Sequence, residues 1–336
     1  MDFNKIKFLL ESEPSYRLKQ IKKALFSEFI DNWKEVSNLP KKLIDELLKN
    51  YPIDKIFKEE KVLVSDDNQT LKALFTLDDG LKIESVLMKH RDKRRTVCVS
   101  SQAGCSLGCD FCATGREGFK RNLSPSEITN QVLFFSRFLK KSKERVTNIV
   151  FMGMGEPFFN YDNVFEAIRI FNDKDGFNIG IRHISVSSSG IIEGIERLAQ
   201  EKLQINLAIS LHAPNNELRT KIMPVNKTYP IEKILEAVDK YVKKTKRKVM
   251  FEYLMIDKIN DSTAHAEELA RIMKNPLYFV NLISFNPIGH SLFKPSPGHK
   301  IKKFKQVLEG FGVNVTQRYR FGREIKAACG QLASDN

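Results

Sequence analysis

The sequence lacks the features that mark a membrane, secreted or disordered protein. Its 336 residues contain no run of about 18 apolar residues, so no transmembrane helix is expected. The amino-terminal stretch is amphipathic and charged, unlike the basic and then apolar pattern of a signal peptide. Glycine and proline are scarce, with 17 and 12 residues, and no low-complexity stretch occurs. These absences predict a soluble cytoplasmic protein. A length of 336 residues leaves room for a deep core and a buried site.

Cysteine is also scarce, and its distribution is uneven. The chain has five cysteines, an odd number, and three of them (Cys105, Cys109 and Cys112) stand close together. Because no secretion signal precedes them, a structural disulfide framework is disfavoured. The cluster indicates metal or redox chemistry instead.

Positive charge is in excess, with 55 Lys and Arg against 41 Asp and Glu and a formal net charge of +14. Such a surface attracts a polyanion, for which RNA or DNA is the natural candidate. Basic runs such as KHRDKRR (89–95) and KKTKRK (243–248) are equally consistent with solvated faces. Charge alone therefore leaves nucleic-acid binding open.

The pattern of apolar residues divides the chain into four segments. We predict a helical accessory unit at residues 1–60 and a β meander at 61–95, with a hairpin signal at Asp79-Gly80. An alternating α/β domain is predicted at 96–290, followed by a carboxyl-terminal segment at 291–336. The meander strands are expected at Lys61–Val64, Leu71–Leu77 and Leu81–Met88.

Six β-rich runs alternate with helical patterns in the α/β domain. They lie at Val97–Ser101, Val146–Phe151, His183–Ser187, Ile205–Leu211, Lys248–Met255 and Phe279–Phe285. Ser124 and Glu127 form a predicted capping box at a helix start, and Asp162 and Asp261 resemble further N-caps. The alternation predicts parallel strands with right-handed crossovers, in a doubly wound sheet or a partial (β/α)6 barrel. Six units are too few for a closed eightfold barrel.

The three clustered cysteines have C-x3-C-x2-C spacing in the loop after the first predicted strand of that domain. Parallel α/β folds place their chemistry in such loops, and thiolates bind iron clusters well. Three ligands to a four-iron cluster leave one iron open to the amino and carboxylate groups of S-adenosylmethionine. The alternative is a structural zinc site, but zinc requires four ligands, and Cys98 and Cys329 each stand alone.

The spacing, with Phe111 before the last cysteine, is typical of the radical S-adenosylmethionine (radical SAM) superfamily. After the second strand, the run Met152-Gly153-Met154-Gly155-Glu156-Pro157 resembles the glycine-rich loop that binds the amino group of the cofactor in that superfamily. Glycine lets the backbone approach a ligand, and a carboxylate suits an ammonium group. A bare glycine-rich turn would mean little on its own.

At family level, the sequence resembles the RlmN and Cfr family of dual-specificity RNA methyltransferases from about residue 80 to its end. The matching stretches are CVSSQAGCSLGCDFCATG (98–115), GFKRNL (118–123), MGMGEP (152–157), SVSSSG (185–190), AISLHAPNNELR (208–219), MPVNKTYP (223–230), NLISFNP (281–287) and AACGQLA (327–333). Together they are far more specific than the cysteine cluster alone.

This resemblance implies methylation of an adenine ring carbon by way of a methylated cysteine. Two S-adenosylmethionine molecules would be used per turnover: one methylates Cys329, and the other is cleaved at a [4Fe-4S] cluster held by the three clustered cysteines. The resulting radical would abstract hydrogen from the S-methyl group, which then adds to the adenine. Cys98 would resolve the protein–RNA adduct by forming a disulfide with Cys329. Without the resemblance, both would pass as small buried residues.

By the same match, Glu84 would accept the ring proton. On its own it suggests an exposed strand residue, because the polar Lys82 and Glu84 alternate with the apolar Ile83. The cofactor contacts implied by the resemblance follow predicted strands and would line one barrel mouth; they are Gly155, Glu156, Ser187, Ser210, Leu211, His212 and Asn286. His212 alone would more often be an ordinary loop histidine.

The resemblance implies 23S rRNA at the peptidyl-transferase centre as the partner, with tRNA as a second substrate and flavodoxin or ferredoxin as the electron donor. Pro157 resembles enzymes that methylate adenine C2, and a Cfr-like C8 enzyme is the nearest alternative. A basic RNA-binding protein with a structural metal and no catalysis is another. The accessory unit resembles an RNA-binding domain only loosely, and a monomer is expected.

Overall fold

The computed structural model describes residues 3–53, 56–289, 292–318, 322 and 324–333. Twelve strands lie within them: β1 Glu59–Val64, β2 Thr70–Thr76, β3 Lys82–Lys89, β4 Arg95–Cys98, β5 Gln102–Gly104, β6 Phe119–Asn122, β7 Asn148–Phe151, β8 Ile184–Ser188, β9 Asn206–Ser210, β10 Val249–Met255, β11 Tyr278–Ser284 and β12 Asn314–Gln317.

Eleven α-helices lie in the same ranges: α1 Phe3–Leu9, α2 Tyr16–Phe26, α3 Lys41–Asn50, α4 Ala113–Glu117, α5 Pro125–Lys140, α6 Tyr161–Asn172, α7 Ile192–Gln200, α8 Asn216–Ile222, α9 Ile231–Thr245, α10 Thr263–Ile272 and α11 Gly298–Gly310. Of the helices described, none has the length and apolar character needed to cross a membrane.

Ten of these strands form one sheet, in the order β1-β2-β3-β4-β7-β8-β9-β10-β11-β12. Pairing is antiparallel from β1 to β4 and parallel from β4 to β12. The α/β fold with a partial (β/α)6 barrel, which the alternating pattern predicts, is confirmed. The sequence analysis missed β12, a seventh parallel strand beside β11, because its four residues are mostly exposed and carry little apolar signal.

The β meander is part of this sheet, because β3 pairs with β4 at the start of the parallel region. The predicted hairpin forms between β2 and β3, but its loop is longer than a two-residue turn. Leu77 donates its N–H to the Leu81 carbonyl at 2.8 Å, and Gly80 adopts a φ of +84° within the loop. The register across β2, β3 and β4 is thereby fixed, and it places Lys72 opposite Val86 and Val86 opposite Cys98.

The helical amino-terminal unit packs against the outer helices of the barrel. Phe26 of α2 stacks on Phe177 with ring centroids 4.9 Å apart, and Lys22 pairs with Asp173 at the end of α6. Trp33 is fully buried in this unit and donates its indole N–H to the Tyr51 carbonyl at 2.7 Å. The contacts of Phe26 and Lys22 join the unit to the barrel. The segment boundaries at residues 60, 95 and 290 stay predictions.

Helix starts follow the sequence signals only in part. The predicted capping box is present, since the Ser124 hydroxyl accepts the Glu127 N–H and Glu127 accepts the Ser124 N–H. Asp162 and Asp261 are not N-caps. Asp162 lies inside the first turn of α6, and Ser262 caps α10 because its hydroxyl is one residue closer to the helix.

We predict that Ser124→Ala lowers the free energy of unfolding by about 1 kcal/mol, because the amino end of α5 loses one side of its capping box. Urea denaturation of the two proteins measures the difference. Ser37→Ala, at an exposed loop serine, is the matched control. Equal midpoints for the two variants would contradict the prediction.

Candidate active site

Loops from neighbouring strands converge at the carboxyl edge of the parallel sheet. Because the strands run in the same direction, their following residues meet at one edge. The cavity at this edge has an empty volume of about 810 Å3, which includes space open to solvent. It is lined by residues from the ends of β7 to β12, by the cysteine loop and by the carboxyl-terminal segment.

The cysteine loop leaves the sheet through a small hairpin that the sequence analysis did not predict. Strands β5 and β6 pair on either side of it, and the Cys105 N–H binds the Gly118 carbonyl at 3.1 Å. Gly104 has a φ of +74°, and a Cβ atom there would lie 1.9 Å from the Gly118 oxygen. Only glycine fits, so the turn that starts the loop is held closed.

The three clustered thiols are buried close enough to affect one another. Burial raises the pKa of Cys105 to about 12 and that of Cys109 well above its usual value, and the neighbouring cysteines raise both further. Burial likewise raises the pKa of Cys112. As thiolates, the three would therefore need bound positive charge, which a cluster of iron ions would supply. In the described ranges no three His, Cys, Asp or Glu side chains, the three clustered cysteines included, are already arranged around a single metal position.

A buried cation, Arg219 of α8, lies behind the cysteine loop. Its guanidinium donates to the carbonyls of Ser189, Ser210 and Leu211, which end or follow β8 and β9. Burial lowers the pKa of Arg219 to about 10, and the charge of Cys109 opposes that shift. Arg219 therefore ties two site-forming strand ends together beside the thiols.

The glycine-rich loop after β7 is built around the Glu156 carboxylate. Gly155 has a φ of +97°, and a Cβ there would meet the Gln102 side chain at 2.5 Å. Glu156 accepts the N–H of Ser189 at 2.8 Å and that of Phe158 at 3.1 Å. Burial raises the pKa of Glu156, and these two N–H groups lower it. The carboxylate thus joins the ends of β7 and β8.

Other predicted cofactor residues line the same cavity, namely Ser187, Ser210 and His212. Burial lowers the pKa of His212 to about 3, so its ring is neutral and accepts the Leu254 N–H at 3.1 Å. Leu211 is fully buried and is not part of the lining. Its carbonyl instead accepts a hydrogen bond from Arg219.

Two buried oxygens at this edge have no hydrogen-bond partner among the described residues: Oε1 of Glu252 and Oδ1 of Asn286. Glu252 lines the large cavity, whereas Asn286 lines an adjoining one. Unsatisfied buried acceptors are costly unless a ligand supplies donors. The donors of S-adenosylmethionine, an ammonium and two hydroxyl groups, fit this requirement.

The adjoining cavity, with an empty volume of about 550 Å3, brings Cys98 and Cys329 together. Cys329 and Arg318 line both cavities. All five cysteines are free thiols in the structure. Burial raises the pKa of Cys98 to about 12, the charge of Cys329 raises it further, and Arg318 lowers it. Cys329 therefore lies between the cavity at the strand ends and the thiol of Cys98.

The carboxyl-terminal segment is held over the site by hydrogen bonds to helix α4 and to the loop after β11. The Gly330 carbonyl accepts the Ala113 N–H at 2.8 Å, and the Leu332 carbonyl accepts the Thr114 hydroxyl at 2.7 Å. Asn286 donates to the Cys329 carbonyl at 3.2 Å. The segment is thus docked on the helix that follows the cysteine loop.

Glu84 is fully buried, so the expectation of an exposed strand residue is wrong. Both faces of β3 are covered, and alternation with Lys82 therefore gave a false signal. Its Oε2 accepts the Ala333 N–H at 3.0 Å, and Lys72 lies 2.7 Å from its Oε1. Glu84 lines neither cavity, because the carboxyl-terminal segment covers it.

Sequence reasoning missed four polar residues of this region: Lys72, Arg219, Glu252 and Arg318. A lysine and a glutamate inside otherwise apolar strands, at Lys72 and Glu252, are signals that could have found two of them. Arg318 follows the missed strand β12, and its guanidinium donates to the Met152 sulfur at 3.3 Å.

Comparison with known proteins agrees with this geometry. Residues 99–272 match the family model of the radical SAM superfamily. The chain is 46% identical over 333 residues to a probable dual-specificity RNA methyltransferase RlmN of Dictyoglomus thermophilum, covering 98% of this chain and 94% of the relative. It is 45% identical over 327 residues to the ribosomal RNA large subunit methyltransferase N of Nitrosopumilus maritimus, covering 95% and 93%.

A solved structure has the same architecture over the whole chain. The crystal structure of a radical SAM methyltransferase from Sphaerobacter thermophilus superposes with a TM-score of 0.94 at 42% identity, covering 100% of this chain and 98% of that one. The chain therefore belongs to the radical SAM superfamily and, within it, to the RlmN family of RNA methyltransferases.

Proposed function

We propose that this RlmN-family enzyme methylates C2 of an adenosine in 23S rRNA, at the peptidyl-transferase centre, and also acts on tRNA next to the anticodon. One observation carries the proposal: Cys329 borders both the cavity lined by the predicted cofactor residues and the cavity that contains Cys98. A methyl carrier must face a donor on one side and a resolving group on the other. No ordinary structural role requires that position.

The residues present fit the two groups that the family implies. When bound, the [4Fe-4S] cluster and two S-adenosylmethionine molecules per turnover supply the methyl group and a hydrogen-abstracting radical. Cys105, Cys109 and Cys112 would hold the cluster. The cofactor would be held by residues at the strand ends: Gly155, Glu156, Ser187, Ser210, His212 and Asn286. Leu211 is buried behind the cavity lining and would not contact it. A flavodoxin or ferredoxin would supply electrons.

Cys329 is the proposed methyl carrier, and Arg318 is the cation beside it. Both line the two cavities, and the charge of Cys329 raises the pKa of Arg318. The guanidinium is thus placed beside the sulfur atom that would accept the methyl group. The hydrogen bond from Asn286 to the Cys329 carbonyl would hold the carrier at the cavity border.

Cys98 is the proposed resolving residue. Its thiolate would attack the Cys329 sulfur, forming an S–S bond while the S–C bond to the methylated RNA breaks. The bonding electrons leave with the carbon, which takes a proton, and an external dithiol reduces the disulfide. Because burial raises the pKa of Cys98 to about 12, this step needs the nearby positive charge of Arg318.

Glu84 is the proposed acceptor of the ring proton. In the structure the carboxyl-terminal segment covers it through the Ala333 N–H. The proposal therefore requires this segment to shift when RNA enters. Ala327 and Leu332 of the segment pack into the hydrophobic core, so the shift would uncover these side chains. The described residues of the segment form no strand of the sheet, so the shift would leave the sheet intact.

The C2 position is preferred over C8 because Pro157 follows Gly155-Glu156, as in C2 enzymes. Pro157 is buried and starts a short 3-10 turn directly after the glycine-rich loop. C8 methylation stays the second candidate on the same site.

Mass spectrometry of ribosomal RNA after expression is expected to show additional 2-methyladenosine, and the Cys329 peptide is expected to carry a methyl group. Cys329→Ala should abolish both signals, because the methyl carrier is gone. Finding 8-methyladenosine would replace the C2 assignment with C8. Finding neither nucleoside would contradict the proposal.

Anaerobically purified protein is expected to be brown and to contain iron and sulfide. Cys112→Ala should lose most of the iron, since one of three protein ligands is removed. Cys98→Ala, which alters a buried cysteine outside the loop, is the control and should keep it. A colourless protein that contains zinc would instead favour a non-catalytic RNA-binding protein.

Cys98→Ala is expected to accumulate a covalent protein–RNA adduct, because the thiol that resolves it is missing. Denaturing gels with labelled RNA detect the adduct as a slowly migrating band. The double variant Cys98→Ala/Cys329→Ala should show none, which ties the adduct to the carrier. Free, methylated RNA released normally by Cys98→Ala would argue against the resolving role.

A further inference from the structure

A buried lysine on β2 forms an ion pair with the proposed base. The Lys72 ammonium lies 2.7 Å from Oε1 of Glu84, and the two side chains are 3% and 0% exposed. Among the described residues, Oε1 has no polar partner other than this ammonium. Neither the cysteine chemistry nor the cofactor site uses Lys72.

The sheet register directs this pair toward the thiol cavity. Lys72, Val86 and Cys98 are consecutive partners across β2, β3 and β4, so their side chains project from the same face of the sheet. Glu84 stands two residues from Val86 on β3 and shares that face. Val86 and Cys98 line the thiol cavity. The ion pair therefore lies beside the proposed reaction, one diagonal step away.

A buried ion pair is a poor way to stabilise this sheet. The cost of removing two charges from water often exceeds their mutual attraction, and apolar residues of similar size do as well or better. Val86, the cross-strand partner of Lys72 on the same face, is apolar and buried. The lysine is therefore better explained by its effect on Glu84 than by packing.

The two oxygens of Glu84 have separate partners. Oε1 faces the Lys72 ammonium, whereas Oε2 accepts the Ala333 N–H of the carboxyl-terminal segment. If the segment shifts, Oε2 loses its donor, but Oε1 keeps its cation. The carboxylate would stay fixed in orientation and present a free oxygen to the substrate.

We propose that Lys72 is a positioning residue that keeps Glu84 ionised and oriented while the carboxyl-terminal segment moves away from it. This inference rests on the proposed role of Glu84 as the base. The ring C–H bond of the radical adduct breaks, its electron pair stays with the ring, and the proton forms an O–H bond on Oε2. The unpaired electron of the adduct would pass to the bound iron–sulfur cluster, which gives up one electron when the cofactor is cleaved. Lys72 keeps its own proton throughout.

The charges around Glu84 set the direction of the expected effect. Burial raises the pKa of Glu84, Lys72 and the Ala333 N–H lower it, and Glu117 of α4 raises it. Removal of Lys72 therefore raises the pKa further. Because the base must be ionised, activity is lost as pH falls through this pKa. The acid limb of the pH–rate profile should move to higher pH.

Lys72→Met is expected to move that limb upward by about 1–3 pH units, the effect of one close opposite charge. The measurement is the single-turnover rate of methylated RNA release across pH, with the cluster-loaded enzyme. At pH values below the pKa of Glu84 the rate should fall by about tenfold or more, because raising that pKa by about one lowers the ionised fraction of the base about tenfold there. Lys72→Arg, which keeps the charge, should retain the wild-type limb.

The control variant is Lys300→Met. Lys300 pairs with Asp257 at a distance of 2.8 Å and is not a partner of Glu84. It should leave the limb unchanged. Infrared difference spectra between acid and neutral pH give a second readout. The band of protonated Glu84 is identified by its loss in Glu84→Gln. In Lys72→Met this band should persist to higher pH. If Lys72→Met does not fold, Lys72→Gln serves as the neutral variant.

The outcomes separate the two proposals. If Glu84→Gln is inactive but Lys72→Met shifts neither the acid limb nor the infrared band, the role of Lys72 is overturned and Glu84 stays the base. Glu84→Gln fully active would remove the base assignment itself, and the role of Lys72 with it. A shifted limb together with an inactive Glu84→Gln supports both.

Discussion

The parallel hydrogen-bond ladder from β4 to β12 determines where the reactive groups of this protein lie. Each parallel strand ends at the same edge, so residues far apart in sequence become neighbours there. Cys98 ends β4, Ser210 ends β9, and Arg318 follows β12. The helices outside the sheet hold this ladder in place, and the amino-terminal unit packs on them through Phe26.

Exclusion of water is the second common feature of the site, and it shapes the chemistry of each group. Burial raises the pKa of Cys98 and of Glu84, and it lowers the pKa of His212 so that its ring stays neutral. Such groups react only when a nearby charge offsets their desolvation. Arg318 lies beside the two thiols and Lys72 beside Glu84, so each cation sits where a negative charge is needed.

The carboxyl-terminal segment links these parts. It carries Cys329, is hydrogen-bonded to the helix after the cysteine loop, and covers Glu84 with the Ala333 N–H. A carrier on such a segment can be seated against the larger cavity and still be displaced, because the described residues of the segment form no strand of the sheet, although Leu332 packs on the core. Gly330, with a φ of +82°, provides the turn that brings its carbonyl to Ala113.

The sequence by itself determined the alternating α/β architecture, the clustered cysteines and the family, because these depend on local periodicity and on short motifs. It also indicated that Cys98 and Cys329 matter, though only through the family resemblance. It did not determine β12, the burial of Glu84 or the pairing with Lys72. Those depend on sheet register and on what covers each strand, which involve contacts between distant segments. Only the tertiary structure placed Cys329 between two cavities, since no local pattern encodes which strand ends meet.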